Sequence, residues 1–124
     1  MAAENGEEIE EGGIDPVFKN LDEFVRLRYL PVYVRSADSV RWCSQWWRHA
    51  EAVSRFQALW HSWELLRWEP GSGMAIWYRE HLDPQMNVIH SKDGPFASCT
   101  PDEHVDVPAL PVAVPPEGWF EDEW

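Results

Sequence analysis

The sequence predicts a mainly α-helical fold: a small helical domain built on one long Trp-rich helix, with shorter flanking helices and disordered acidic N- and C-terminal tails. Three observations predict it. Apolar residues recur by threes and fours across 40–68, seven of the nine tryptophans fall between Trp42 and Trp77, and the acids crowd into the two ends.

The ends set the domain limits. Residues 1–15 hold six acids with three glycines, no Lys or Arg and almost no apolar side chains, so they predict a disordered acidic tail. Residues 101–124 hold seven acids and again no base, and are read as a Pro-rich acidic C-terminal tail. Between them, 16–100 forms the Trp-rich helical domain, with nine acids against ten bases. The net charge of −12 therefore belongs to the tails. A near-neutral domain argues against duplex nucleic acid as a partner, because phosphate neutralisation needs a basic surface.

Within the domain, Phe18, Leu21, Phe24, Val25 and Tyr29 predict an amphipathic helix over 21–29, with Asn20 or Asp22 near its start. Pro31 should stop it at Leu30. Val32, Tyr33 and Val34 are β-prone and suit a brief extended segment. The long helix over 40–68 follows, with Ser36, Asp38 and Ser39 as candidate caps and Glu69-Pro70-Gly71 as its end. Its predicted core face carries Trp42, Trp46, His49, Phe56, Trp60 and Trp63, and Trp77 joins the core from the next helix. At 1.5 Å per residue it would be about 43 Å long, so a bend or an early end is open. A second helix is predicted over 74–81, restarted by Asp83-Pro84 into 85–89. Lys92 to Pro95 reads as a turn, and five prolines alternating with Val and Ala from Pro101 to Pro116 read as an extended segment.

The stretches RWCSQWWRHAEAVSRFQALWHSWELLR, GMAIWYREHLDP and DGPFASC carry a resemblance. Trp42-Cys43, Trp46-Trp47 with His49, Glu51-Ala52, Leu59-Trp60, Trp63-Glu64 and Arg67, then Trp77, His81, Asp83-Pro84, Gly94-Pro95-Phe96 and Cys99, resemble an actinobacterial and phage mobile-element domain of unknown function (DUF4913-like). The resemblance implies a setting on plasmids, integrative elements or phages, with conjugation as one association. It implies no activity.

Chemistry is weighed residue by residue. Cys43, His49, His81, His90, Cys99 and His104 are zinc-type ligands. On one helix, however, Cys43 and His49 would lie about 240° apart. No Cys-x-x-Cys or His-x-x-x-His is present, so the sequence predicts no metal and no cofactor. Were zinc bound, Cys99 and His81 would meet Cys43 or His49. Two cysteines are too few for a disulfide framework, and with no visible signal peptide or membrane span the expected setting is cytoplasmic. His49 and Glu64 would be about 22 Å apart on the helix, so they cannot form an acid–base pair, and no catalytic residue is predicted. Arg41, Arg48 and Arg55 at seven-residue intervals read as a solvated face.

The expected function is that of a non-catalytic protein-interaction accessory with an unidentified protein partner and no membrane. Its candidate partner-binding residues are Trp47, Arg48, Trp68, Trp119, Phe120 and Trp124. The C-terminal EGWFEDEW either docks on a partner or folds back through Trp119 and Phe120. A nucleic-acid-associated regulator motivated by the arginines and an acidic DNA-mimic inhibitor motivated by the tails are the rival readings. Oligomeric state is not legible in the residues.

Overall fold

The computed structural model describes residues 15–124; the acidic residues before them, expected to be a disordered tail, lie outside the described residues. Three helical rods carry the fold, and no strand occurs among the described residues. In the first rod, α1 (Leu21–Phe24) passes through a π-helical turn, Val25–Tyr29, into α2 (Leu30–Val32). Asn20 caps it as the sequence predicts, its side-chain oxygen accepting from the Glu23 N–H at 3.0 Å.

Pro31 does not stop this rod. Just upstream the Leu30 N–H donates to the Val25 carbonyl, five residues back rather than four. The third rod repeats the device. There α4 (Gly73–Trp77) continues through the π-helical turn Tyr78–Leu82 into α5 (Asp83–Ile89), and the Asp83 N–H donates to the Tyr78 carbonyl just before Pro84. A proline ring crowds the carbonyl four residues back and brings no N–H, so a widened turn upstream lets the helix continue. The expected break between residues 81 and 83 is thus a π-helical turn inside one rod.

The central rod, α3 (Ala50–Leu66), is 17 residues long and corrects the expectation of one helix over 40–68. Residues 50–66 are rich in Ala, Glu, Gln and Leu, whereas Val40, Trp42, Cys43, Ser44, Trp46, Trp47 and His49 are all weaker helix formers. Tertiary bonds also hold the earlier stretch open. The Arg41 N–H donates to the His90 carbonyl at 3.0 Å, Trp46–Arg48 makes one 3₁₀ turn, and His49 is extended at φ −111°, ψ 108°. Trp42 and Trp46 reach the core from this irregular segment, their rings 6.4 and 5.6 Å from Phe56.

Ala52, Phe56, Leu59 and Trp63 form the buried face of α3. Phe56 meets Tyr29 edge-on at 4.8 Å, and Trp63 packs with Phe18 and Phe24 at 5.5 and 6.2 Å. The Arg28 and Arg67 guanidiniums lie over the Trp63 ring at 5.0 and 5.7 Å. The predicted core residues are all placed there: Trp46, Phe56, Trp63 and Trp77 are buried, and Trp42, Trp60 and His49 are partly so. The return from α3 to α4 needs glycine twice. Gly71 has φ +83°, and a Cβ on Gly73 would run into the Leu66 carbonyl.

His90 knots the three regions together. One ring nitrogen faces the Tyr29 hydroxyl at 2.9 Å and the other faces the Arg41 carbonyl at 2.9 Å. The second contact requires Nδ1–H as donor, which leaves Nε2 to accept from Tyr29. Burial holds this imidazole below its usual pKa, in keeping with a neutral ring. His90→Ala should cost about 1–3 kcal/mol, because it leaves the buried Tyr29 hydroxyl unpaired. Urea unfolding checks this, and an unchanged midpoint would contradict it.

Candidate functional site

Two features outside the packed rods bear on function: a sulfur–imidazole cluster and a set of exposed aromatics. The cluster is built from loops. A turn at Ser44-Gln45 and the following 3₁₀ turn carry Cys43 and His49 to one end of α3. The opposite half comes from a second loop. There the Cys99 N–H donates to the Phe96 carbonyl at 3.1 Å, and Thr100 and Glu103 exchange both backbone bonds at 3.0 and 3.2 Å. The Thr100 hydroxyl accepts from the Asp102 and Glu103 N–H groups, and this tight loop returns His104 over Cys99.

The ligand-type atoms of Cys43, His49, Cys99 and His104 all lie within 4.8 Å of one another. Cys43 Sγ is 3.3 Å from His104 Nδ1, and Cys99 Sγ is 3.5 Å from His49 Nε2 and 3.8 Å from His104 Nδ1. Both thiols are buried and neither is in a disulfide. His104 Nε2 meets the Asp106 carboxylate at 2.5 Å, so the carboxylate fixes the tautomer: Nε2 carries the proton and Nδ1 turns its lone pair toward the sulfurs. The Val105 N–H points at Cys99 Sγ from 3.3 Å. Phe96, fully buried, lies edge-on to the His49 ring at 5.0 Å and closes the apolar side. Burial pushes the Cys43 thiol up, against the Gln45 N–H that favours its thiolate. Burial and the neighbouring His104 hold His49 low, as the neutral imidazole.

This geometry corrects the prediction of no metal-ligand set. The argument that Cys43 and His49 diverge held only for a helix, and the chain between them is not α-helical. His81 is not in the group, and His90 is engaged with Tyr29 and Arg41. His104, assigned to the tail by the boundary at residue 100, packs into the fold with a side chain only 5% exposed. A signal was present in the residues. Cys43-x₅-His49 and Cys99-x₄-His104 are two near-matched pairs, each spanning a loop.

The six candidate partner-binding residues are all exposed, but they do not make one patch. Trp47 and Arg48 sit before the start of α3, and Trp68 lies just beyond its end with the Arg67 guanidinium 4.5 Å over its ring. Trp119, Phe120 and Trp124 stand out on the extended C-terminal chain, the first two about 70% exposed and the last fully so. The arginine face is likewise dispersed. Arg41 and Arg48 precede α3, Arg48 approaches Asp106 at 3.5 Å, and Arg55 is held by Glu51 at 2.9 Å and Gln85 at 2.7 Å.

Glu64, ruled out above as an acid–base partner of His49, proves to be structural. It is buried on α3, and its carboxylate accepts from the Val17 and Phe18 N–H groups, the Trp60 indole and Arg67 at 2.9–3.1 Å. Burial opposes its ionisation, but these donors outweigh burial and hold the carboxyl below its usual pKa.

Among families of known proteins, the one described as a domain of unknown function (DUF4913) matches residues 18–117. That match passes through His104 and into the proline-rich segment, beyond Cys99, where the resembling motifs end. No curated protein and no solved structure matches.

Proposed function

The chain belongs to the DUF4913 family, and from that premise we propose that it is a non-catalytic protein-interaction accessory whose working end is the C-terminal aromatic–acidic segment. The observation that carries this reading is the exposure of Trp119, Phe120 and Trp124 among Glu117, Glu121, Asp122 and Glu123, on a proline-rich tether. Large rings exposed among carboxylates suit a partner offering an apolar pocket with a basic rim. The reading that Trp119 and Phe120 fold back onto the domain loses support from that exposure. The helical domain serves as the scaffold, and Trp47 and Arg48 are a secondary contact.

A non-catalytic role is supported by how the reactive side chains are used. Cys43 and Cys99 are buried, and Glu64 is saturated by four donors. No helix among the described residues is long and apolar enough to cross a membrane. The proposed setting is the cytoplasm of a host carrying a plasmid, integrative element or phage, with conjugation as one process served.

The test is co-purification with the full chain as bait. A variant with Trp119→Ala, Phe120→Ala and Trp124→Ala should keep the parent's unfolding midpoint and lose the parent's partner. Retention of the same partner by that variant would overturn the assignment to the tail. A truncation serves equally if it ends after Val107, since ending at Cys99 would also remove His104 from the fold.

A further inference from the structure

We propose that Cys43 Sγ, His49 Nε2, Cys99 Sγ and His104 Nδ1 together bind one Zn²⁺ ion as a closed structural centre. Zinc bonds of about 2.3 Å to sulfur and about 2.0–2.1 Å to nitrogen imply tetrahedron edges of about 3.5–3.6 Å between sulfur and nitrogen. Three of the four sulfur–nitrogen separations are 3.3, 3.5 and 3.8 Å, and every other pair of ligand atoms lies within 4.8 Å. The side chains stand close to the corners the ion requires.

The surroundings of the ligands also suit a metal centre. The pair His104–Asp106 has the carboxylate–imidazole arrangement that orients a metal-binding histidine and raises its basicity. The Val105 N–H is directed at Cys99 Sγ from 3.3 Å, a contact that a zinc-bound sulfur accepts. Both contacts suit a metal-bound sulfur and a directed lone pair.

The donor set selects the ion. Two thiolates with two imidazoles in a tetrahedron match zinc, whereas magnesium and calcium require oxygen. Four protein ligands leave no position for water, so the centre is structural rather than catalytic. Binding replaces the two thiol protons: Zn²⁺, two Cys–SH and two neutral imidazoles give a neutral complex and release two protons. The ion would staple the irregular segment ahead of α3 to the last folded loop, across a span of more than fifty residues closed otherwise by Phe96 and the His90–Arg41 bonds.

The experiment uses untagged full-length protein purified under reducing conditions from zinc-supplemented cells. One zinc per chain is expected. Titrating the thiols with a mercurial should release it stoichiometrically, and adding zinc to stripped protein should raise the unfolding temperature. Cys99→Ser and His104→Ala should lose the metal and that thermal response, while His81→Ala, outside the cluster, should keep both. Asp106→Asn alters the exposed partner of His104, which also faces Arg48, and should weaken zinc binding about 10- to 100-fold without preventing folding. Cobalt substituted into the parent protein should give tetrahedral visible bands and thiolate charge transfer, a readout independent of any variant's folding. Folded, reduced protein without zinc and with an unfolding temperature indifferent to zinc would overturn the proposal. So would a Cys43–Cys99 disulfide persisting under those reducing conditions.

Discussion

Trp77→Ala should destabilise the domain by about 3–5 kcal/mol, enough to unfold much of a protein of ordinary stability. Trp77 is 0% exposed and lies where the third rod crosses α3. Its ring packs against Tyr33 at 6.1 Å and Tyr78 at 5.7 Å, so truncation opens a cavity that two neighbouring rods would have to collapse to fill. Its indole N–H also donates to the Leu59 carbonyl at 3.2 Å and the Ser62 hydroxyl at 3.0 Å. Trp77→Phe should recover most of the packing and lose only these bonds, about 1–2 kcal/mol. Urea unfolding of the two variants separates the contributions. A Trp77→Ala protein within 1 kcal/mol of the parent, a margin well below the cavity cost, would show that the ring does not hold this crossing.

Glu64→Ala should cost about 3–5 kcal/mol, and the loss should depend on pH. Its carboxylate ties the chain at Val17 and Phe18 to α3 and Arg67, and Arg67 in turn donates to the Asp15 carbonyl at 2.8 Å. Removing it leaves two backbone N–H groups and an indole N–H without an acceptor. The sign follows from the depressed folded pKa. The charge-dependent part of the stabilisation is complete above the unfolded value of about 4.5 and is lost as pH falls through the lower folded value. Glu64→Gln, which keeps the shape without the charge, should therefore differ from the parent most at neutral pH. The two should converge as the solution is acidified below 4.5. A gap independent of pH would assign the effect to packing.

Most of the helical plan was legible in the residues, since burial in α3 follows three-and-four spacing from Ala52 to Trp63. The misreading lay in extending that period back through Trp42 and Trp46. Those rings do enter the core, yet their spacing is met by an irregular segment pinned to His90, a tertiary bond that no local pattern encodes. Pro31 misled in the opposite sense, because a π-helical turn upstream absorbs it, whereas Pro84 opens α5 as expected, with a π-helical turn in place of the expected break.

The metal-type cluster was hidden by the same error. With 40–49 read as helix, Cys43 and His49 point apart, and with the domain boundary at residue 100, His104 falls outside it. The residue types were visible; their convergence depends on two loops closing over fifty residues apart. Trp47 and Trp68 are exposed as expected, since adjacent Trp46 and Trp47 cannot both face the core and Trp68 lies beyond the end of α3.

In the proposed zinc centre, four side chains from two distant loops close this fold around one ion. Zinc-edge X-ray absorption on the reduced, untagged full chain tests it most directly. The predicted first shell is two sulfurs at about 2.3 Å and two nitrogens at about 2.0–2.1 Å. A shell of light atoms alone, or a folded chain with no zinc edge at all, would contradict it.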